Sequence, residues 1–288
     1  MMQVKRKSVQ CLSPAGLHRI SYKEWGDFDN PNVLVCVHGI TRVSDDFDVL
    51  AQALSDHYRV ICPDIVGRGQ SDSLPNPQFY QVPQYVSDMV TLLARLDVET
   101  VDWFGTSMGG LIGMGLASMP NNPIRKLILN DVGPSLNLEA IARIGDYIGQ
   151  DVRFDTFDEA AAYIREVSIS FGAHTEAQWH KLAADVLKKN QDGKWIRHYD
   201  LNLSVPVKAI TPELAVAAQA MLWKAYDAIT CQTLLVRGGD SDLLSISAAQ
   251  EMTQRGPHAQ LIEIAGVGHA PTFVQPEQIA IARNFLLS

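Results

Sequence analysis

The 288-residue chain is poor in the features that announce a nucleic acid, a membrane or a metal as its partner. Charged residues make up only 19% of it and the formal net charge is −8. The one basic cluster, Lys5-Arg6-Lys7, is short, so nothing electrostatic draws the chain to nucleic acid or to an anionic bilayer. No stretch approaches the roughly 18 consecutive apolar residues of a membrane span. The charged start, Met1 to Lys7, has no apolar run behind it of the kind a secretion signal needs, so a cytoplasmic protein is expected. Cysteine is scarce and unpatterned: Cys11, Cys36, Cys62 and Cys231 lack CxxC spacing. Cys36 and Cys62 lie in apolar runs, where a thiol behaves as a small core residue, and no metal site is expected. Low-complexity segments and fixed-period repeats are also absent.

What the chain has is apolar residues, 47% of the total, enough for one large core carrying an insertion or a small second lobe. Val4 to Leu12 and Leu17 to Trp25 read as two strands around the turn Ser13-Pro14-Ala15-Gly16. Asn32 to Val37 and Tyr58 to Pro63 are continuous apolar runs, the pattern of strands buried on both faces. Helices are expected over Asp46 to Leu54 and Val82 to Leu96. Val101 to Phe104 then leads into Gly105-Thr106-Ser107-Met108-Gly109 and a helix ending at Met119-Pro120. GxSxG arises by chance in roughly one chain of this length in ten. A strand before it and a helix after it are what give it meaning, because a serine on a strained turn needs neighbours without a Cβ.

Another strand, Ile124 to Leu129, is followed by Asn130-Asp131-Val132-Gly133-Pro134. The alternation then stops. From Leu136 to about Ile229 the pattern is helical: Leu138 to Ile148, Asp158 to Ile169, Glu176 to Lys189 and Pro212 to Tyr226. Thr156, Thr175 and Thr211 stand where N-caps belong, and loops are expected at Gln191-Asp192-Gly193 and around Pro206. Phe171, Trp179, Trp195 and Trp223 are expected mainly in the core of this insertion. The strands Thr233 to Val236 and Ala259 to Ala265 and the helices Ser247 to Gln254 and Pro276 to Leu287 complete the chain. Alternating strands and helices imply a parallel sheet whose ligand site lies beyond the carboxyl ends of the strands. His38-Gly39, Asp64 to Asp72, Ser107 and Asp131 all fall at that end.

Four features in order, His38-Gly39, Gly105-Thr106-Ser107-Met108-Gly109-Gly110, Gly238-Gly239-Asp240-Ser241-Asp242 and Gly266-Val267-Gly268-His269, resemble the α/β-hydrolase fold enzymes over nearly the whole chain. The resemblance implies an α/β fold with a mostly parallel, eight-stranded twisted sheet, helices on both faces, and a helical lid. The core would be residues 1–134 and 230–288, and the lid residues 135–229. It implies a triad of Ser107, Asp242 and His269 in the order serine, acid, histidine. Asp242-Leu243-Leu244 matches the usual acid followed by two apolar residues. Asp240 in the same loop and Asp131 after the preceding strand are alternatives, the latter because some members place the acid there. The main-chain N–H groups of Ile40 and Met108 would form the oxyanion hole, with His38, Arg68 and Ser71 bracing loops rather than reacting.

A serine at the elbow, where dehalogenases and epoxide hydrolases of this fold carry an aspartate, points to attack on an acyl carbon. The expected reaction is hydrolysis of a small carboxylic ester or lactone through an acyl-enzyme on Ser107. Alternatives with the same triad are carbon–carbon hydrolysis of a vinylogous diketone, for which an inward arginine among Arg143, Arg153, Arg165 and Arg197 would speak, and acyl transfer. A hydrolase-fold ligand receptor with little turnover is the alternative of another class. No cofactor is implied, since GxGxxG is missing after the first parallel strand. The expected partner is a small ester-like molecule, and oligomeric state is not legible.

Overall fold

The computed structural model describes residues 4–135 and 137–288. Leu136, where the helical segment is expected to begin, lies outside the described residues. Ten strands and ten α-helices are present among them. Strands β1 (Val4–Ser13), β2 (Gly16–Trp25), β3 (Val33–Val37), β4 (Arg59–Pro63), β5 (Val101–Thr106), β6 (Ile124–Asn130), β9 (Gln232–Gly238) and β10 (Gln260–Ile264) form one sheet in the order β1-β2-β4-β3-β5-β6-β9-β10. Only β2 runs against the rest; every pair from β4 to β10 is parallel. This is the expected eight-stranded, mostly parallel sheet.

Alternation along the central strands divides the core into two layers. Val33, Val35 and Val37 of β3 and Trp103 of β5 face one layer, while Leu34, Cys36 and Phe104 face the other, as period-2 side chains must. The first layer is closed by α2 (Val82–Leu96), α3 (Met108–Ala117), α8 (Pro212–Asp227) and α9 (Ile246–Gln254), through residues such as Met89, Ile112, Tyr226 and Met252. The second is closed by α1 (Asp48–Leu54) and α10 (Pro276–Leu287), through Leu50, Leu54, Phe285 and Leu286. No helix among the described residues is long and apolar enough to cross a membrane.

Between β6 and β9 the chain leaves the sheet and runs through α4 (Leu138–Ile148), α5 (Phe157–Val167), α6 (Glu176–Val186), α7 (Ser204–Lys208) and α8. Thr156, Thr175 and Thr211 cap α5, α6 and α8, the first two in full capping boxes. Two readings need correction. The helix expected to reach Lys189 stops at Val186, and β7 (Leu187–Lys189) pairs with β8 (Trp195–Arg197) in a small antiparallel hairpin, turned by Gln191-Asp192-Gly193. Pro206 lies in a short helix rather than a loop; it occupies the first turn, where its missing N–H has no intrahelical acceptor to lose. The insertion docks on the core by main-chain bonds: Gly69 N–H donates to His198 O at 3.0 Å and Asp200 N–H to Gly67 O at 2.8 Å. Trp179, Trp195 and Trp223 pack within it or at its rim, whereas Phe171 faces the cavity described below.

Candidate active site

Ser107 sits between β5 and α3 at φ 52° and ψ −116°, a left-handed backbone that costs a non-glycine residue roughly 1–3 kcal/mol. The turn is held by Ser107 N–H donating to Asn130 O at 2.9 Å. Its glycines are needed for close approach: a Cβ on Gly105 would lie 2.3 Å from Gly109 O, and one on Gly109 only 2.0 Å from Val37 O. The strand can therefore cross the helix tightly enough to raise the serine at the carboxyl end of the sheet.

The loop after β10 brings His269 to that serine, with Nε2 2.9 Å from Ser107 Oγ. Ser170 of the insertion supports this loop: its carbonyl accepts from Gly268 N–H at 2.6 Å and its hydroxyl donates to His269 O at 2.9 Å. His269 Nδ1 lies 2.7 Å from Asp131 Oδ2. With Nδ1–H donating to that carboxylate, the neutral imidazole leaves Nε2 free to accept from the serine hydroxyl.

The expectation that Asp242 pairs with His269 is therefore corrected. Asp242 lies at the rim of the cavity described below, with its carboxylate 49% exposed and 2.5 Å from Arg143, itself 62% exposed. Asp240 is exposed as well. Between them Ser241 turns inward, and its hydroxyl donates to Asp131 Oδ2 at 2.6 Å. Asp131 also accepts from Gly238 N–H at 2.9 Å and is 0% exposed. The inward place in the loop after β9 belongs to a serine, and the carboxylate comes instead from the end of β6. Asp131 adopts φ 55° there, a conformation that aspartate tolerates better than most residues.

Ile40 lines the cavity that holds Ser107, and Met108 follows the serine directly. Met108 opens α3, so its N–H has no carbonyl a turn back within the helix and sits at the positive end of the helix dipole. The Ile40 N–H has no acceptor among the described residues. Its loop is fixed from behind. His38 Nδ1 bonds Gly39 O at 2.7 Å, and Ile65 N–H donates to His38 Nε2 at 3.0 Å. Burial lowers the His38 pKa to about 4, so this ring is a neutral brace. Arg68 donates to Ile40 O at 2.9 Å and to Val66 O at 2.8 Å, and the Ser71 hydroxyl donates to Asp64 O at 2.6 Å. Arg68 thus holds the loop that carries Ile40, and Ser71 holds the loop at Asp64.

Above the serine is a cavity of about 510 Å³ walled by both core and insertion. Its apolar wall includes Ile144, Val167, Phe171, Leu182 and Val186. Of the four insertion arginines, Arg153 and Arg165 are away from it, while Arg143 and Arg197 line it. Arg197 is engaged by the carbonyls of Tyr147, Ile148 and Gln150 around the end of α4. A cation that the motifs did not single out, Arg42, lines the cavity from the core side.

The structure also brings together a grouping that sequence spacing hid. Cys11, His18 and Asp88 are buried with their ligand-type atoms within 4.8 Å of one another. His18 Nε2 bonds Asp88 Oδ2 at 3.0 Å, tying the β1–β2 hairpin to α2. Burial, aided by the nearby Asp88, pushes the Cys11 thiol up to about 12. The trio lies apart from the serine cavity.

Comparison with known proteins places these observations among relatives. The family model for the alpha/beta hydrolase fold matches residues 32–276. A 3-hydroxybutyrate-oligomer hydrolase of Cupriavidus necator is 58% identical over 280 residues, covering 96% of each chain. A solved structure from Rickettsia typhi superposes with a TM-score of 0.89 at 31% identity, covering 99% of both chains. An alpha/beta hydrolase from Novosphingobium aromaticivorans does so with a TM-score of 0.85 at 34% identity over 98% of both.

Proposed function

The chain belongs to the α/β-hydrolase fold family, and on that premise we propose that it hydrolyses the ester bonds of short 3-hydroxybutyrate oligomers through an acyl-enzyme on Ser107. The observation that carries the chemistry is the chain of contacts Ser107 Oγ, His269, Asp131, at 2.9 and 2.7 Å. The substrate class rests on the 58% identical oligomer hydrolase, which matches 96% of this chain.

In this reading the Ser107 hydroxyl passes its proton to His269 Nε2 as Oγ attacks the ester carbonyl. Asp131 holds the imidazole tautomer and stabilises the imidazolium. The negative oxygen of the tetrahedral intermediate is received by the N–H groups of Ile40 and Met108. His269 then protonates the departing hydroxy-acid oxygen, leaving a 3-hydroxybutyryl ester on Ser107. In the second half His269 deprotonates water, which attacks that ester and releases the second product. Residues 135–229 act as a lid whose apolar wall accommodates the methyl and methylene groups of the chain and keeps bulk water from the acyl-enzyme. No cofactor is required, and the enzyme acts on a small molecule in the cytoplasm.

The test is chromatography of the products formed from 3-hydroxybutyrate trimer by wild type and by Ser107→Ala. The reading expects monomer and dimer from the wild type and a fall of at least about a thousandfold in the variant. Intact trimer with wild type, or an undiminished rate with Ser107→Ala, would sink it. Turnover of a vinylogous diketone instead, or saturable binding without turnover, would return the function to the carbon–carbon hydrolase or the receptor.

A further inference from the structure

We propose that Arg42 recognises the free carboxylate at the acid end of the oligomer, making the enzyme selective for acid-terminated substrates; the proposal rests on the ester-hydrolase reading above. A guanidinium carries five N–H donors. In Arg42, Nε donates to Asp46 Oδ2 at 2.7 Å, and Nη2 donates to Asp46 Oδ1 at 2.6 Å and to Leu182 O at 3.1 Å. The two hydrogens on Nη1 have no acceptor among the described residues. The side chain is only 11% exposed, its guanidinium carbon lies 5.7 Å from the centre of the Phe171 ring, and both residues line the serine cavity. Nη1 is therefore the nitrogen left to a ligand, and a carboxylate oxygen would take a charge-assisted hydrogen bond from it.

Its location also fits. Arg42 lies two residues beyond Ile40, and its backbone N–H donates to Gly39 O at 3.1 Å. A Cβ placed on Gly39 would be 3.7 Å from Ser107 Cβ and 3.8 Å from Arg42 Cγ, so one glycine separates the base of the arginine from the nucleophile. In a 3-hydroxybutyrate dimer the carboxylate carbon is three bonds from the ester oxygen, on the part that leaves as the alcohol. A short reach of that kind matches a cation rooted beside the serine. The bidentate pair with Asp46 orders the guanidinium before substrate arrives, which lowers the entropy lost on binding. Arg143 and Arg197 also line the cavity, but the Arg143 side chain is 62% exposed and Arg197 is taken up by the carbonyls of Tyr147, Ile148 and Gln150.

The experiment compares kcat/KM for 3-hydroxybutyrate dimer and for the same dimer capped as its primary amide, which removes the charge without adding a second ester. Wild type, Arg42→Gln, Arg42→Lys and Arg143→Gln are compared by the acid-to-amide ratio within each protein, which is insensitive to the fraction folded. Charge-assisted hydrogen bonding predicts a wild-type ratio of about 10 to 100. The ratio should fall to within about threefold of unity in Arg42→Gln, be partly kept in Arg42→Lys, and be unchanged in Arg143→Gln. A wild-type ratio near one, or a collapse in Arg143→Gln but not in Arg42→Gln, overturns the assignment while leaving ester hydrolysis standing. Cleavage of neither dimer overturns both.

Discussion

Replacing Asp131 or Asp242 by asparagine separates the two candidate acids by orders of magnitude. Asp131 is fully buried and takes three donors, His269 Nδ1–H, the Ser241 hydroxyl and Gly238 N–H. Asparagine has the same shape but puts an amide against a ring nitrogen that must donate. The imidazole then favours the tautomer protonated at Nε2, which can no longer accept from Ser107, and the loss should be about a thousandfold to ten thousandfold in kcat. Asp242 makes a half-exposed pair with Arg143. Such pairs are worth ~0–1 kcal/mol, so Asp242→Asn should cost less than about fivefold. The assay is kcat/KM on p-nitrophenyl butyrate, with thermal unfolding as a check, since altering buried hydrogen bonds at Asp131 should cost about 1–3 kcal/mol. A loss in Asp242→Asn equal to or greater than that in Asp131→Asn would refute the assignment of the acid.

Two further outcomes concern the scaffold. Gly109→Ala would place a methyl 2.0 Å from Val37 O, a backbone atom that cannot swing aside. Denaturant titration should show a loss of about 1–3 kcal/mol, and a near-neutral result would mean that the elbow is looser than described. Asp185 of α6 is pushed up to about 7, chiefly by burial against the partial relief of Lys181. Because its folded pKa exceeds the unfolded value of about 3.9, the folded state holds the extra proton between them and stability falls as pH rises through that window. Asp185→Asn should therefore gain in melting temperature relative to wild type between pH 5 and pH 8; a difference flat across that range would contradict it.

The sheet was legible because buried parallel strands write themselves as apolar runs: β3 is Val-Leu-Val-Cys-Val and every residue is buried. The α2 bounds, Val82 to Leu96, agree at both ends because its apolar stripe is unambiguous. The β7–β8 hairpin was hidden because Leu187 continues the periodicity of α6, and only pairing with residues 195–197 bends the chain away. The serine and histidine were legible from glycine-flanked turns. The partner of His269 was not, since Asp131-Val132 and Asp242-Leu243-Leu244 both put an acid before apolar residues at a strand's carboxyl end. What decides between them is the rotation of one loop, which turns Ser241 onto Asp131 and leaves both its neighbouring aspartates exposed at the cavity rim. Arg42 was equally invisible: its meaning depends on which of its five donors Asp46 and Leu182 leave unused.

The most direct measurement is an acid quench of wild-type enzyme with 3-hydroxybutyrate dimer during the first turnover, followed by intact mass and peptide mapping. Covalent catalysis predicts a transient 3-hydroxybutyryl adduct on the peptide carrying Ser107, formed and lost at rates that account for kcat. Steady product formation with no adduct on Ser107 at any time, together with continued turnover by Ser107→Ala, would contradict it.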